Sequence, residues 1–328
     1  RIIMRRRRSN KGTYLILALI CLILLNIGSM TILFLRNKDI PVFNIINIIR
    51  DVFDISKESN DKKMDKDDLS EQEIDRAEDF IIINPLDNYE NLIIVKDSKG
   101  KGSIQNIPES LNIDKVNIDK TKPYIFVYHT HATESYIPFD DDTYYSEDND
   151  NNVVRIGNTM ATVLEANGHN ISHSINHHDR PSYSQSYARS LRTIENVKNE
   201  EGNLKFFFDI HRDGIDKNAS YYERFLSKAK TTINGKKVAT FSLVVGPDTP
   251  NYDKVLDYAK FIKVVADMMY PDLCTGIIVK PYGKFNLYIS DYAALIEIGS
   301  NLNTLDEANE CAKLVAEILD TVIRSIKE

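Results

Sequence analysis

The stretch Tyr124-Ile-Phe-Val-Tyr-His129-Thr-His131-Ala-Thr-Glu134 decides the fold. An apolar run of β-branched and aromatic residues stops abruptly at two histidines, and a carboxylate follows five positions after His129. Leu204-Lys-Phe-Phe-Phe-Asp-Ile-His211 repeats the pattern of a buried run capped by an imidazole. Ala293-Ala-Leu-Ile-Glu297 ends a third run in a carboxylate. Functional groups in open α/β sheets gather at the carboxyl ends of strands, so the three endings predict one shared edge.

Around these strands, from Lys122 onward, strand and helix signals alternate. That alternation predicts an α/β domain with a largely parallel sheet. Val153 to Asn167 has helical periodicity and stops at Gly168, and Tyr183 to Lys198 forms a second helix. Asn234-Gly235 between two strand-like runs is a hairpin signal. Tyr252 to Tyr270 is a helix ended by Pro271, and Thr304 with Glu307 three residues on is a capping box for the last helix.

The amino-terminal third has a different character. Arg5 to Arg8 precede the uncharged segment Tyr14 to Leu35, whose 22 residues span roughly 33 Å as a helix, enough for a bilayer core. A cleaved signal peptide has a shorter apolar core, so a retained anchor is expected. The arginines keep residues 1–13 in the cytoplasm and send everything after Leu35 outside. Residues 36–120 read as an extracytoplasmic stalk, with short strands near Phe80–Ile83 and Leu92–Val95 and a charged stretch from Lys57 to Asp79. The catalytic domain is then 121–328.

Composition sets bounds on function. The 328 residues are 42% hydrophobic and 27% charged, an ordinary globular mixture. A net charge of −7 gives no reason to expect nucleic acid as a partner. Cys21, Cys274 and Cys311 fall in separate segments and imply no disulfide framework.

Two imidazoles and one carboxylate with a fourth position open are a catalytic zinc set. His129 to Glu134 gives the short ligand spacer and His211 the distant ligand. His129 is preferred to His131 because it lies nearer the rigid strand, which leaves His131 an assisting or oxyanion-stabilising role. A zinc-bound water needs a carboxylate to take its proton and return it to a leaving amine, and Glu297 comes from a separate strand to do so. Arg212 and Asp213 follow His211 and are placed to orient ligands or hold an anionic substrate group. Among the other histidines, His169 reads as a turn residue and His173 as structural. His177 and His178 form a weaker candidate pair in a loop. The acidic loop from Asp140 to Asn152 lacks the spacing of a calcium-binding loop.

His129-Thr-His-Ala-Thr-Glu-Ser-Tyr136, Phe208-Asp-Ile-His-Arg-Asp-Gly214 and Glu297-Ile-Gly-Ser-Asn-Leu-Asn-Thr304 closely resemble the stage II sporulation protein P family. Ser182–Arg192 and the Asn-Gly hairpin before Phe241 to Gly246 are also similar to it. The resemblance implies a three-layer αβα, amidase/phosphorylase-hydrolase-like fold and a zinc-dependent N-acetylmuramoyl-L-alanine amidase acting on peptidoglycan during engulfment. It further implies additional cutting of peptide cross-links, and action alongside stage II sporulation proteins D and M between the mother-cell and forespore membranes. On this resemblance His129, Glu134 and His211 become the zinc ligands and Glu297 the catalytic carboxylate. Lys284-Phe-Asn-Leu departs from the sequence the family leads one to expect there.

Overall fold

A computed structural model describes residues 81–83, 94–96, 101–104, 107–111, 113–137 and 144–328. These all fall within a single unit of the chain. The anchor expected at 14–35 and most of the expected stalk lie outside the described residues. No helix among the described residues is long and apolar enough to cross a membrane.

In chain order the strands are β1 (Ile81–Ile83), β2 (Ile94–Lys96), β3 (Gly102–Ile104), β4 (Ile125–Tyr128), β5 (Ile171–His173), β6 (Phe206–Asp213), β7 (Lys230–Ile233), β8 (Lys236–Ala239), β9 (Phe241–Val245), β10 (Cys274–Val279) and β11 (Tyr292–Ser300). The helices are α1 (Val153–Ala166), α2 (Ser186–Glu200), α3 (Tyr222–Lys228), α4 (Tyr252–Met269) and α5 (Leu305–Ile326). Seven strands form one sheet in the order β1-β10-β9-β11-β6-β4-β5. The β4–β5, β4–β6, β6–β11 and β9–β10 pairs are parallel, whereas β9–β11 and β1–β10 are antiparallel. The expected largely parallel α/β sheet is therefore present, with two antiparallel joints.

β6 lies at the centre because its sequence is apolar on both faces, as a strand covered from both sides must be. Phe206, Phe207 and Phe208 are all buried, and each contributes roughly 1.5–3 kcal/mol of apolar burial. Side chains alternate along a strand, so Phe207, Asp209, His211 and Asp213 share one face of β6 and Phe206, Phe208 and Ile210 the other. Tyr258 of α4 meets the Phe206 ring, and α1, α4 and α5 pack together on that face. Lys198 of α2 lies over the Phe207 ring on the opposite face. The result is three layers.

Local signals behave as their chemistry requires. Asn234 (φ 50°) and Gly235 (φ 78°) make the two-residue turn between β7 and β8, where both positions need positive φ. Glu307 N–H donates to Thr304 Oγ1 at 3.2 Å, and Thr304 N–H donates to Glu307 Oε2 at 3.1 Å, closing the capping box of α5. Cys274 and Cys311 are free and buried.

The boundary expected near Lys120 does not separate two bodies among the described residues. β1 extends the main sheet as an edge strand, and Ile104, Leu111, Val116 and Ile118 are buried in the same core. Ile104 N–H donates to Ser325 Oγ at 2.7 Å, and Val116 N–H donates to Ile326 O at 2.8 Å, tying this segment to α5.

His169 is more than a turn residue. Burial lowers its pKa despite the neighbouring Asp320, so the ring is neutral. Its Nδ1 accepts from Tyr124 Oη at 2.7 Å and its Nε2–H donates to Asp320 Oδ1 at 2.6 Å. Arg324 Nε donates to the same carboxylate oxygen at 2.5 Å. The network joins the start of β4 to the loop after α1 and to α5. Replacing Asp320 with Ala leaves a buried N–H unmet, and we expect a loss of about 2 kcal/mol in urea unfolding at neutral pH. Although burial opposes it, bonding to His169 and Arg324 holds the Asp320 carboxyl below its ordinary 3.8. Its contribution is present above 3.8 and is lost as pH falls through the lower folded value, so the difference from Asp320→Asn should narrow on acidification.

Candidate metal centre and its carboxylate

The site begins where β4 ends. The strand stops at Tyr128, and residues 130–133 form a turn in which Glu134 N–H donates to His131 O at 3.2 Å. The turn brings His131 and Glu134 against His211 near the end of β6. His131 Nδ1 and His211 Nδ1 are 3.4 Å apart. His211 Nδ1 is 3.4 Å from Glu134 Oε2, and His131 Nδ1 is 3.9 Å from Glu134 Oε1. One ligand atom from each of the three lies within 4.8 Å of the others. Donors about 2.0–2.1 Å from a tetrahedral zinc stand about 3.3–3.4 Å from one another, so this donor set and spacing fit zinc.

Each donor is held from behind. Arg212 N–H donates to Glu134 Oε2 at 3.1 Å. The Arg212 guanidinium bonds Ser135 O at 2.8 Å and Tyr144 O at 3.0 Å, so it organises the loop after Glu134. His131 stacks on Tyr183, with centroids 4.3 Å apart and planes 11° from parallel. Asp209 is wholly buried and lies 3.1 Å from His211 Nε2, although off the line of a good hydrogen bond. Thr130 fixes Asp209 through its N–H (2.8 Å) and its hydroxyl (2.6 Å). A carboxylate behind a ligating imidazole orients the ring and raises its basicity. Burial alone would lower the pKa of His211, but Asp209 and Glu134 outweigh it and hold the ring well above 6.5. His131 is driven well below 6.5, first by burial and then by His211 and Arg212.

The preference for His129 over His131 does not survive the geometry. His129 Nδ1 is 3.0 Å from Ile210 O, and a carbonyl can only accept, so the proton is on Nδ1. Nε2 is then an acceptor, and His173 Nε2–H donates to it at 2.9 Å. Both ring nitrogens of His129 are thus spent inside the protein. The ring packs against α1, where a Cβ on Gly157 would come within 2.6 Å of it. Strand alternation places 129 and 131 on one side only if the strand continues, and here it does not.

Glu297 pairs in register with His211 across β6 and β11. The residue is half-buried, yet its Oε2 is sealed from solvent without a hydrogen-bond partner. Burial, with Asp213 and Glu134 adding to it against His211, pushes its pKa up to about 8. A carboxyl poised near neutrality can both accept and return a proton. Glu297, Glu134 and His211 line one cleft of about 600 Å³, with Tyr183, Arg180 and Lys280 among its other walls.

His177 and His178 take no part in the cluster. His177 Nε2 meets Asn149 Oδ1 at 2.6 Å, and His178 Nδ1–H donates to His129 O at 2.7 Å. Asp209, Asp179 and Tyr183 were not singled out from the sequence. Asp179 accepts from Thr133 N–H at 3.0 Å and so secures the turn that carries the donors. Asp209 was legible in principle, since it lies two residues before His211 on the same strand face.

The site is thus a three-donor cluster at strand ends that could hold a metal ion, beside a carboxylate with a raised pKa, in an α/β protein. The chain belongs to the stage II sporulation protein P family, whose sequence profile matches residues 34–320. It is 29% identical over 212 residues to stage II sporulation protein P of Bacillus subtilis (strain 168), covering 60% of this chain and 50% of that one. The aligned stretch thus spans about half the length of that relative. Among solved structures, it overlaps the N-acetylmuramoyl-L-alanine amidase AmiC2 of Nostoc punctiforme with 13% identity and a TM-score of 0.38, covering 63% of this chain and 97% of that one. An N-acetylmuramoyl-L-alanine amidase from Clostridium difficile 630 overlaps with 15% identity and a TM-score of 0.36, covering 62% and 95%. Overlaps this slight assign neither reaction nor site.

The two histidines of the first strand end should separate experimentally. His131→Ala is expected to lose stoichiometric zinc, and His129→Ala to keep it while melting at lower temperature. Gly157→Ala tests the same packing, because a helical glycine replaced by alanine ordinarily gains up to about 1 kcal/mol. Against the His129 and His173 rings it should instead lose about 1–3 kcal/mol. Zinc retained by His131→Ala, or a stabilised Gly157→Ala, would contradict this arrangement.

Proposed function

We propose that this chain is a zinc-dependent peptidoglycan hydrolase that cleaves the amide between N-acetylmuramic acid and the L-alanine of the stem peptide. Family membership supports a role in remodelling the cell wall during sporulation. The observation that carries the reaction is the approach of three metal donors to one face of the sheet beside Glu297, a carboxylate with a raised pKa. His131, Glu134 and His211 would hold the ion. Zinc in such a set polarises an amide carbonyl and acidifies water. Glu297 takes a proton from the attacking water and returns it to the departing nitrogen. Asp209 and Arg212 keep the donors in place, and the cleft receives the wall fragment. We further propose that residues 14–35 anchor the domain on the outer side of a membrane, in the space between mother cell and forespore. Stage II sporulation proteins D and M are the partners expected there.

Digesting purified cell wall and analysing the products by mass spectrometry tests the bond assignment. The amidase frees intact stem peptides from glycan, whereas shortened peptides still joined to muramic acid would overturn it. Glu297→Gln should lower turnover by at least about 100-fold while zinc content stays stoichiometric, as expected for loss of an acid–base group. A wall-binding protein without activity would show no such split.

Zinc affinity should weaken as pH falls, because protons compete for the imidazoles. The carboxylates around His211 hold its proton well above 6.5, so this competition begins at higher pH than for an ordinary histidine. A zinc-binding profile flat down to about pH 5 would exclude histidine ligation.

A further inference from the structure

A second cavity, of about 130 Å³, opens beside the cleft. It shares Glu297 and Asp213 with the cleft but includes none of His131, Glu134 and His211. Strand alternation shows how the two are joined. Leu295 and Glu297 share one face of β11, and Gly299 follows in the irregularity that brings Ser300 opposite Asp213. Leu295 lines the first cavity, Gly299 the second and Glu297 both. In β9, Val244 lines the first, whereas Ser242, the antiparallel partner of Glu297, lines the second. The two cavities therefore adjoin at Glu297 on one sheet face, with Glu134 and His211 lining only the first.

Amide hydrolysis gives that arrangement a direction. The C–N bond breaks, a C–O bond forms from water, and the proton taken from water passes through Glu297 to the nitrogen. The acyl carbon must face the metal donors, and the nitrogen must face the group that protonates it. Whatever is attached to the nitrogen then continues past Glu297, away from the donors. The second cavity lies in that direction. Allowing roughly 10–15 Å³ for each water-sized group, its volume accommodates about ten heavy atoms, or one to two small residues. Its walls include Phe225, Phe241 and Ile278, and its outer side carries Arg224 and Lys228 of α3. Its polarity changes from the carboxyl groups of Glu297 and Asp213, shared with the cleft, to the two exposed cations. A freed peptide has the matching polarity, with an amine at one end and carboxylates beyond.

We propose that this second cavity is the leaving-peptide subsite, which takes the first one or two residues on the amine side of the scissile bond and presents Arg224 and Lys228 to a carboxylate of that peptide. The assignment rests on the hydrolase reading above.

Arg224 and Lys228 are exposed, so the double variant R224A/K228A should fold and keep its zinc. Two probes are titrated by calorimetry into the zinc-loaded wild type and variant: the free dipeptide L-alanyl-γ-D-glutamate and its doubly amidated analogue. The acidic dipeptide should bind the variant about tenfold more weakly, as befits lost charge-assisted bonds, and the amidated one should bind both proteins equally. With a muramoyl peptide bearing that acidic residue, KM should rise about tenfold at unchanged kcat. With muramoyl-L-alanine amide, which leaves a single neutral residue, neither constant should move. Equal binding of the acidic dipeptide to both proteins, or an equal loss on both substrates, overturns the subsite. If the wild type cleaves neither substrate, the hydrolase reading falls, and the dipeptide titration alone decides the subsite.

Discussion

The parallel register between β6 and β11 is the constraint on which the rest depends. It sets Glu297 directly opposite His211 and Leu295 opposite Asp209, so that one sheet face carries a candidate metal donor, the carboxylate behind it and the carboxyl with a raised pKa in adjacent positions. A slip of one residue would turn Glu297 to the helix-packed face, where the register is enforced by Ala294, Ile296 and Ile298, all buried. The phenylalanines of β6 do the same from the other strand. Hydrophobic packing on one face thus fixes the chemistry on the other.

The remaining donors come from a turn, and a turn needs other means of support. Buried polar groups supply them. Asp209 accepts from the Thr130 hydroxyl, whose oxygen lies 2.9 Å from Ser190 Oγ, and Ser190 meets the Asn286 amide at 3.1 Å. Asp179 holds Thr133, and His178 holds the carbonyl of His129. Leaving any of these buried groups unpaired is costly, so the turn is locked by the penalty for moving as much as by the bonds themselves. The departure at Lys284-Phe-Asn-Leu belongs to this system. Phe285 (φ 50°) and Asn286 (φ 54°) adopt left-handed backbone so that the Asn286 amide reaches Tyr187 O and Ser190.

Much of this was legible along the chain. Three apolar runs ending in His, His and Glu mark three strands, and the sheet brings their ends together because parallel strands share a carboxyl edge. The capping box at Thr304 and the turn at Asn234-Gly235 depend on residues adjacent in sequence, so local rules suffice for them. What local rules miss is where a strand stops. Nothing in His129-Thr-His131 states that pairing ends at Tyr128, yet that ending exchanges the roles of the two histidines. The integration of residues 102–118 was hidden for a similar reason. Short strands such as Gly102–Ile104 become recognisable only through α5, some 220 residues later in the chain.

The charges at the centre follow from the same placement. Asp209 and Glu134 approach His211 from its two ring nitrogens and together favour a positive charge at that point. A proton on the ring or a cation at the cluster answers that demand, and the two exclude each other because the ligating nitrogen cannot also carry the proton. Glu297 stands in the same field but lacks a donor of its own, and burial disfavours its ionised form. Charge added beside His211 is therefore charge that eases the deprotonation of Glu297. The charge at the donor cluster and the protonation of Glu297 are thus coupled through space.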